Sequence, residues 1–481
     1  MTLPEDFIKN TKAALGDGLF NALRNGLEAE APVSIRLNPG KCDGNDGMIE
    51  GSPGQVPWCR DGYYLKSRPN FTFDPMLHAG LYYVQEASSM FLHHVLGQLG
   101  GTPTAVLDLC AAPGGKSTVA RSVLPEGCLL VSNEPIRQRA QVLAENIQKF
   151  GHPDVVVTNN YPEDFKGSGL MFDIIIADVP CSGEGMFRKD PAAIGEWSVQ
   201  NVEKCWRLQR SIVESVWDNL KPGGLLVYST CTFNTKENEE NVRYICDELG
   251  AEALAVDTAA EWHITGSVLP GFDKPVYRFL PGVTEGEGLF MAAMRKHGEH
   301  DGQPCTTKKD NKKKKERNKP RAEKQARPDG SWLLQPDSYD IIDCGNKFTA
   351  VPKAWRGMYD KAAKSLKILS AGVPLGEVKG KDIIPDHALA LSTCLDTAAF
   401  ATAELDYGQA LSYLRKEAVA LPADTPRGYV IVTYKGVPLG FEKNIGNRAN
   451  NLYPAEWKIK SPHTPEGLNE VIRKRQTGLP L

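Results

Sequence analysis

The sequence predicts an α/β fold built on a doubly wound, mostly parallel sheet, with an α+β extension before it and smaller modules after it. Two observations carry this. Five apolar runs, Ala105–Leu109, Cys128–Ser132, Val155–Thr158, Phe172–Ala177 and Gly224–Ser229, are joined mostly by segments long enough for crossover helices. Near-continuous apolar strands of this kind belong to sheets covered on both faces. The first run also leads directly into a glycine turn and a helix start, the geometry that opens a nucleotide-cofactor cradle.

Residues 1–72 form the expected extension. Phe7, Ala14, Leu15, Leu19, Phe20 and Leu23 recur at helical spacing and predict one or two amphipathic helices between Phe7 and Leu27. Val33-Ser-Ile-Arg-Leu-Asn38 alternates like a strand, with Arg36 on its polar face. A small lid packed on the next domain is the plainer reading of this region. A contact between Arg36 and an RNA backbone is the functional one. Residues 73–296 hold the central domain. Met90–Leu96 reads as the helix before it, and Ile136–Phe150 and Val202–Leu220 as two of its crossover helices. In such sheets ligands sit at the carboxyl ends of the strands. Polar or reactive residues fall just after all five: Cys110, Glu134, Asn159 and Asn160, Asp178 to Cys181, and Thr230 to Thr232.

Residues 297–328 lack any Val, Ile, Leu, Met, Phe, Tyr or Trp and read as a basic, flexible linker. Residues 329–410 regain apolar character and are expected as a small α/β domain. Within it Leu366–Glu377 reads as a helix end or strand with turns, and His387–Ser392 as the start of a helix. Residues 411–481 are expected as a final binding module. There Gly428–Phe441 is a hairpin: an apolar strand, a Lys-Gly turn and a second short strand.

Composition bounds the function. The 481 residues carry a net charge of −3, yet Lys308–Arg327 holds eleven basic and three acidic residues. The rest of the chain is therefore acidic, and contact with nucleic-acid phosphates must come from local patches. Eleven cysteines are scattered without a zinc-type spacing, which suits a reducing cytoplasm and gives no metal site. No run reaches the roughly 20 apolar residues of a membrane helix. No secretory signal is expected from the N-terminus.

The chemistry starts at Val106-Leu-Asp-Leu-Cys-Ala-Ala-Pro-Gly-Gly-Lys-Ser-Thr118. Pro113, Gly114 and Gly115 force a tight turn, and Lys116 to Thr118 begin a helix. A phosphate-binding P-loop needs a glycine at position 110, where Cys110 stands, so that reading fails at an obligatory residue. Glu134 lies nineteen residues after Gly115, where an acid accepts ribose hydroxyls in nucleoside-binding folds. A carboxylate there repels a triphosphate and favours a cofactor such as S-adenosylmethionine. Asn160 and Asp178 are placed to hold its adenine edge or its positive end. Cys181 and Cys231 lie in turns at the same sheet edge, where a thiol can be exposed and activated. A thiolate beside a methyl donor suits carbon 5 of a pyrimidine, which becomes nucleophilic only after addition at carbon 6.

Cys110-Ala-Ala-Pro-Gly-Gly-Lys116, Asp178-Val-Pro-Cys-Ser-Gly183 and Ser229-Thr-Cys-Thr-Phe-Asn-Thr-Lys-Glu-Asn-Glu239 resemble, in the same order, the motifs of the Sun (Nol/Nop/Sun) family of RNA cytosine-5 methyltransferases. Arg36-Leu-Asn38, Trp58, Tyr82-Tyr83, Gly372–His387 and Tyr434–Phe441 look like its bacterial ribosomal-RNA branch. The resemblance implies a Rossmann-like methyltransferase sheet and a C-terminal PUA-like RNA-binding region. It implies Cys231 as nucleophile, Cys181 as an aid to product release, and Asp178 as a hydrogen-bonding partner of cytosine or cofactor. It places S-adenosylmethionine against Cys110, Ala111, Ala112, Pro113, Gly114, Gly115, Lys116 and Glu134. The residues alone leave the choice between the two cysteines open. Two departures stand out: Val179 where the family often has alanine, and Asn159-Asn160 where the fold usually has an acid.

The expected activity is methylation of a cytosine in ribosomal RNA, of the small subunit, by a cytoplasmic monomer with no membrane partner. Transfer RNA is the alternative substrate. A non-catalytic RNA-binding assembly factor is the alternative function.

Overall fold

The computed structural model describes residues 1–42, 47–49, 52, 54–298, 327, 328, 330–463 and 467–474. The expected basic linker therefore lies almost wholly outside the described residues. At the centre is a nine-stranded sheet. Five parallel strands run in the spatial order Leu220–Thr230, Phe172–Asp178, Ala105–Asp108, Leu129–Asn133, Val155–Thr158. All five expected strands are present, with ends shifted by a few residues at most. The chain starts in the middle of this order and winds outward both ways. The reversal falls between Ala105–Asp108 and Phe172–Asp178, and such a switch point is where open α/β sheets bind ligands.

The sheet is wider than its parallel core. Leu289–Lys296 pairs antiparallel with Leu220–Thr230, and Ala251–Leu254 and Tyr277–Phe279 pair with it in turn. At the opposite edge Ile368–Ala371 pairs antiparallel with Val155–Thr158. This strand was expected within a separate domain of residues 329–410. Instead it covers an edge that would otherwise expose unpaired backbone groups. Trp355, Leu366 and Ala371 share the apolar core beneath that side with Leu129, Val131 and Val156.

The extension has a four-stranded antiparallel sheet of Gly54–Gln55, Gly62–Leu65, Val33–Leu37 and Tyr82–Val84. Its last strand lies beyond the expected limit at residue 72. Before the sheet, Glu5–Glu28 is two helical pieces joined at Gly16, whose φ of 75° breaks the helix. Its Phe7 packs edge-on against Phe187 and Trp197 of the central domain.

Arg36 does not face RNA. It is 1% exposed, and its guanidinium donates to Gln85 Oε1, Thr118 Oγ1 and Ser122 Oγ. The alternating pattern identifies its strand, but the polar face of that strand meets the helix Gly115–Val123 instead of water.

After the central sheet come two four-stranded sheets. The first holds Tyr339–Asp343, Lys347–Pro352, Val373–Lys379 and Asp382–Pro385; the second holds Ala401–Glu404, Gly428–Tyr434, Val437–Asn444 and Ala449–Asn451. The predicted hairpin is present, turning at Lys435 and Gly436, both with positive φ. The second sheet begins before residue 411, the expected boundary. Its Val432 and Leu439 share one core with Ile35, Phe73 and Met76 of the extension, which lies far off in sequence.

Candidate active site

The switch point is lined by the residues that follow the parallel strands. After Ala105–Asp108 the chain turns through Gly114, whose φ of 115° suits glycine, and enters the helix Gly115–Val123. The N-terminus of that helix presents backbone N–H groups and a partial positive charge. Cys110, Ala111 and Ala112 are buried in the turn. Burial pushes the Cys110 thiol well up, so this cysteine is an inert part of the loop.

Lys116 reaches back over the sheet to Asp178, with Nζ 2.9 Å from Oδ2. Burial opposes its charge, but Asp178, Asp108 and Cys231 outweigh burial and hold its pKa above the ordinary value. Ser229 Oγ donates to the other Asp178 oxygen at 2.7 Å. Asp178 is thus fixed by two partners while a third of its side chain stays exposed.

Glu134 is fully buried after the second strand. Oε1 accepts from Ile136 N at 3.0 Å, whereas Oε2 has no hydrogen-bond partner and lies 3.6 Å from Arg139. Asp108, beneath the glycine turn, accepts from Ser117 Oγ with Oδ2 and leaves Oδ1 without a partner. Burial pushes the Asp108 carboxyl up to about 7. Buried acceptors without donors are rare in folded chains. Together with the glycine turn they fit a nucleoside cofactor, whose ribose hydroxyls would meet Glu134. Asp108 stands inside an apolar run, which hides it from sequence patterns.

Asn160, expected beside the cofactor, binds the backbone of Lys367. Its amide donates to Lys367 O at 3.3 Å and accepts from Lys367 N at 3.0 Å. Asn159 likewise accepts from Lys367 Nζ and donates to the backbone of Glu134 and Pro135. Both side chains anchor the C-terminal segment to the sheet. Lys367 has no local signal for this role; only the pairing of Ile368–Ala371 brings it there.

The two cysteines meet. Cys181 Sγ and Cys231 Sγ are 3.0 Å apart, and Cys231 N donates to Cys181 Sγ at 3.4 Å. Both are free and partly exposed, at adjacent strand ends. The hydrogen bond with Cys231, reinforced by burial, holds the Cys181 thiol well above its ordinary pKa. Cys181 therefore stays a thiol that can donate to its neighbour. Glu184 and Glu237 are buried in the same two loops, and no sequence pattern marks them. Their nearness to the cysteine motifs was the only available signal.

The chain is similar to known methyltransferases along most of its length. The family model described as 16S rRNA methyltransferase RsmB/F matches residues 101–295. Models of the N-terminal domain of 16S rRNA methyltransferase RsmF and of the methyltransferase RsmF PUA domain match residues 3–87 and 400–459. Ribosomal RNA small subunit methyltransferase F of Aeromonas salmonicida (strain A449) is 31% identical over 88% of this chain and 90% of its own length. The Enterobacter sp. (strain 638) protein of the same name is 31% identical over 94% and 95%. Among solved structures, a methyltransferase homologue from Pyrococcus horikoshii has a TM-score of 0.52 and 25% identity, over 61% of this chain and 95% of that one. NSun6 from Pyrococcus horikoshii with SFG shares the fold, with a TM-score of 0.51 and 19% identity over 62% and 99%. The chain belongs to the 16S rRNA methyltransferase RsmB/F family, a family of S-adenosylmethionine-dependent RNA methyltransferases.

Proposed function

We propose that this protein methylates carbon 5 of a cytosine in small-subunit ribosomal RNA through a covalent adduct on Cys231. The contact of the two sulfurs beside the Lys116–Asp178 pair carries the reading. S-adenosylmethionine, when bound, supplies an electrophilic methyl group. Cys110 to Lys116 and Glu134 hold it, and the buried Oε2 of Glu134, which has no hydrogen-bond partner, supports that assignment.

The target base must leave its stack to reach the site. Cys231 thiolate adds to carbon 6, which makes carbon 5 nucleophilic enough to take the methyl group. The proton on carbon 5 must then leave to a base, and the carbon–sulfur bond breaks to return the thiolate. The Cys181 thiol, 3.0 Å from Cys231 Sγ, keeps its proton and hydrogen-bonds the departing thiolate, which eases that step. Asp178, neutralised by Lys116 and aimed by Ser229, is placed to accept a hydrogen bond from the exocyclic amino group of cytosine.

RNA is the macromolecular partner in this reading, and one copy of the chain acts alone in the cytoplasm. No described helix is long and apolar enough to cross a membrane. The test uses transcribed small-subunit ribosomal RNA. Cys231→Ala should abolish methyl transfer and adduct formation while calorimetry finds cofactor binding intact. Cys181→Ala should accumulate an RNA adduct on a denaturing gel. Full activity in Cys231→Ala overturns the nucleophile assignment, and normal turnover without adduct in Cys181→Ala overturns the release role.

A further inference from the structure

Two buried carboxylates tie together the loops that carry the sulfurs, and each reaches across from the opposite loop. Glu184 follows Cys181 by three residues. Its Oε2 accepts from Thr232 Oγ1 at 2.7 Å, Phe233 N at 2.6 Å and Asn234 N at 3.1 Å, all just after Cys231. Its Oε1 accepts from Asn234 Nδ2 at 2.9 Å and Trp197 Nε1 at 3.0 Å. Glu237 follows Cys231 by six residues. It accepts from both the N–H and the hydroxyl of Ser182, next to Cys181. It also accepts from Gln209 Nε2, at 2.7 Å, and that amide donates to Pro180 O on the other side of Cys181.

We infer that Glu184 and Glu237 are positioning residues, a reciprocal clasp that sets Cys231 for attack and Cys181 for release. The inference rests on the two-cysteine reading of the site. Both acids are fully buried, and neither has an ion-pair partner among the described residues. Asn234 Nδ2 lies 2.9 Å from each, so two like charges share one neutral donor. Burial first, and then Glu184, push the Glu237 carboxyl up to about 7. Uncompensated buried acids cost stability that backbone pairing or neutral side chains would not. What they add is several short, directed bonds to the N–H groups of two turns. Because each loop grips the other, neither sulfur can drift without breaking bonds on both sides. Cys231 O accepting from Gly185 N, at 2.6 Å, closes the same junction.

The clasp predicts a split between steps, which a general loss of stability would not produce. Glu184→Gln turns an amide toward Trp197 Nε1 or the Phe233 and Asn234 N–H groups and disturbs the turn after Cys231. Glu237→Gln does the same to Ser182 and Gln209 beside Cys181. Single-turnover reactions on transcribed small-subunit ribosomal RNA, quenched onto denaturing gels, separate adduct formation from release. We expect Glu184→Gln to slow adduct formation, and Glu237→Gln to slow release so that adduct accumulates. Each effect should be on the order of 100-fold, the cost of about 1 Å of misplacement. Thr232→Val and Ser182→Ala remove one bond from each half and should give the same split at smaller size. They decide the matter if the glutamine variants fail to fold. Equal slowing of both steps, or of neither, in variants of a wild type that does form adduct overturns the clasp alone. A wild type that forms no adduct overturns the two-cysteine reading beneath it.

Discussion

Single residues in this protein are decided by what they can reach when buried. Lys116 keeps its charge because Asp178 lies 2.9 Å away, and Cys181 keeps its proton because Cys231 and burial oppose the thiolate. Glu442 shows the reverse case. It is fully buried in the strand Val437–Asn444, and neither carboxylate oxygen meets a hydrogen-bond partner among the described residues. Burial pushes it up to about 7. The folded state therefore holds a proton that the unfolded chain releases near pH 4.5, and stability falls as pH rises from there to about 7. Glu442→Gln removes that dependence. Urea unfolding at pH 5 and pH 8 should find the variant gaining on the wild type by on the order of 3 kcal/mol at the higher pH. A difference that does not change with pH would count against the buried charge.

At the scale of elements, backbone geometry decides where helices stop and which faces meet. The helix Glu5–Glu28 is broken at Gly16, where φ is 75° and ψ is 170°. An added Cβ would meet nothing within 4 Å, so the constraint there is conformational and not steric crowding. Gly16→Ala should therefore destabilise by about 1–3 kcal/mol through backbone strain alone, as read by chemical denaturation. A neutral result would mean the helix can straighten without losing Phe7 from the cluster with Phe187 and Trp197. The periodicity of residues 7–27 predicted one or two helices, but apolar spacing alone does not locate a break that a single glycine makes. Arg36 follows the plainer expectation of a packed lid, yet alternation separates the two faces of a strand without saying which face meets water.

For the whole molecule, the C-terminal third is part of the central domain's support. Ile368–Ala371 completes an edge of the sheet, and Lys367 holds Asn159 and Asn160. Trp355 is buried in the central core and donates to Asp154 at 2.9 Å. On the other flank the extension and the last sheet share a core. Each large apolar side chain lost from such a core costs about 1.5–3 kcal/mol, against a total stability of roughly 5–15 kcal/mol. A chain ending at residue 296 should therefore unfold at markedly lower temperature than the full chain, or fail to stay soluble, and the full chain should melt with the central and C-terminal parts coupled. Calorimetry checks this. A truncated chain with the melting temperature of the full protein would mean that the two parts are independent.

The sequence by itself determined the parallel strands, the glycine turn, the hairpin at Lys435-Gly436 and the row of reactive residues at the strand ends. Each of these is written in short-range patterns: apolar periodicity, turn residues and spacing from one strand end to its first helix. Tertiary structure alone decided that Cys181 and Cys231 touch, that Glu184 and Glu237 grip each other's loops, that Arg36 turns inward and that Ile368–Ala371 joins the central sheet. Those outcomes depend on which distant segments share a core and pair along an edge, and no local pattern of residues encodes the partner.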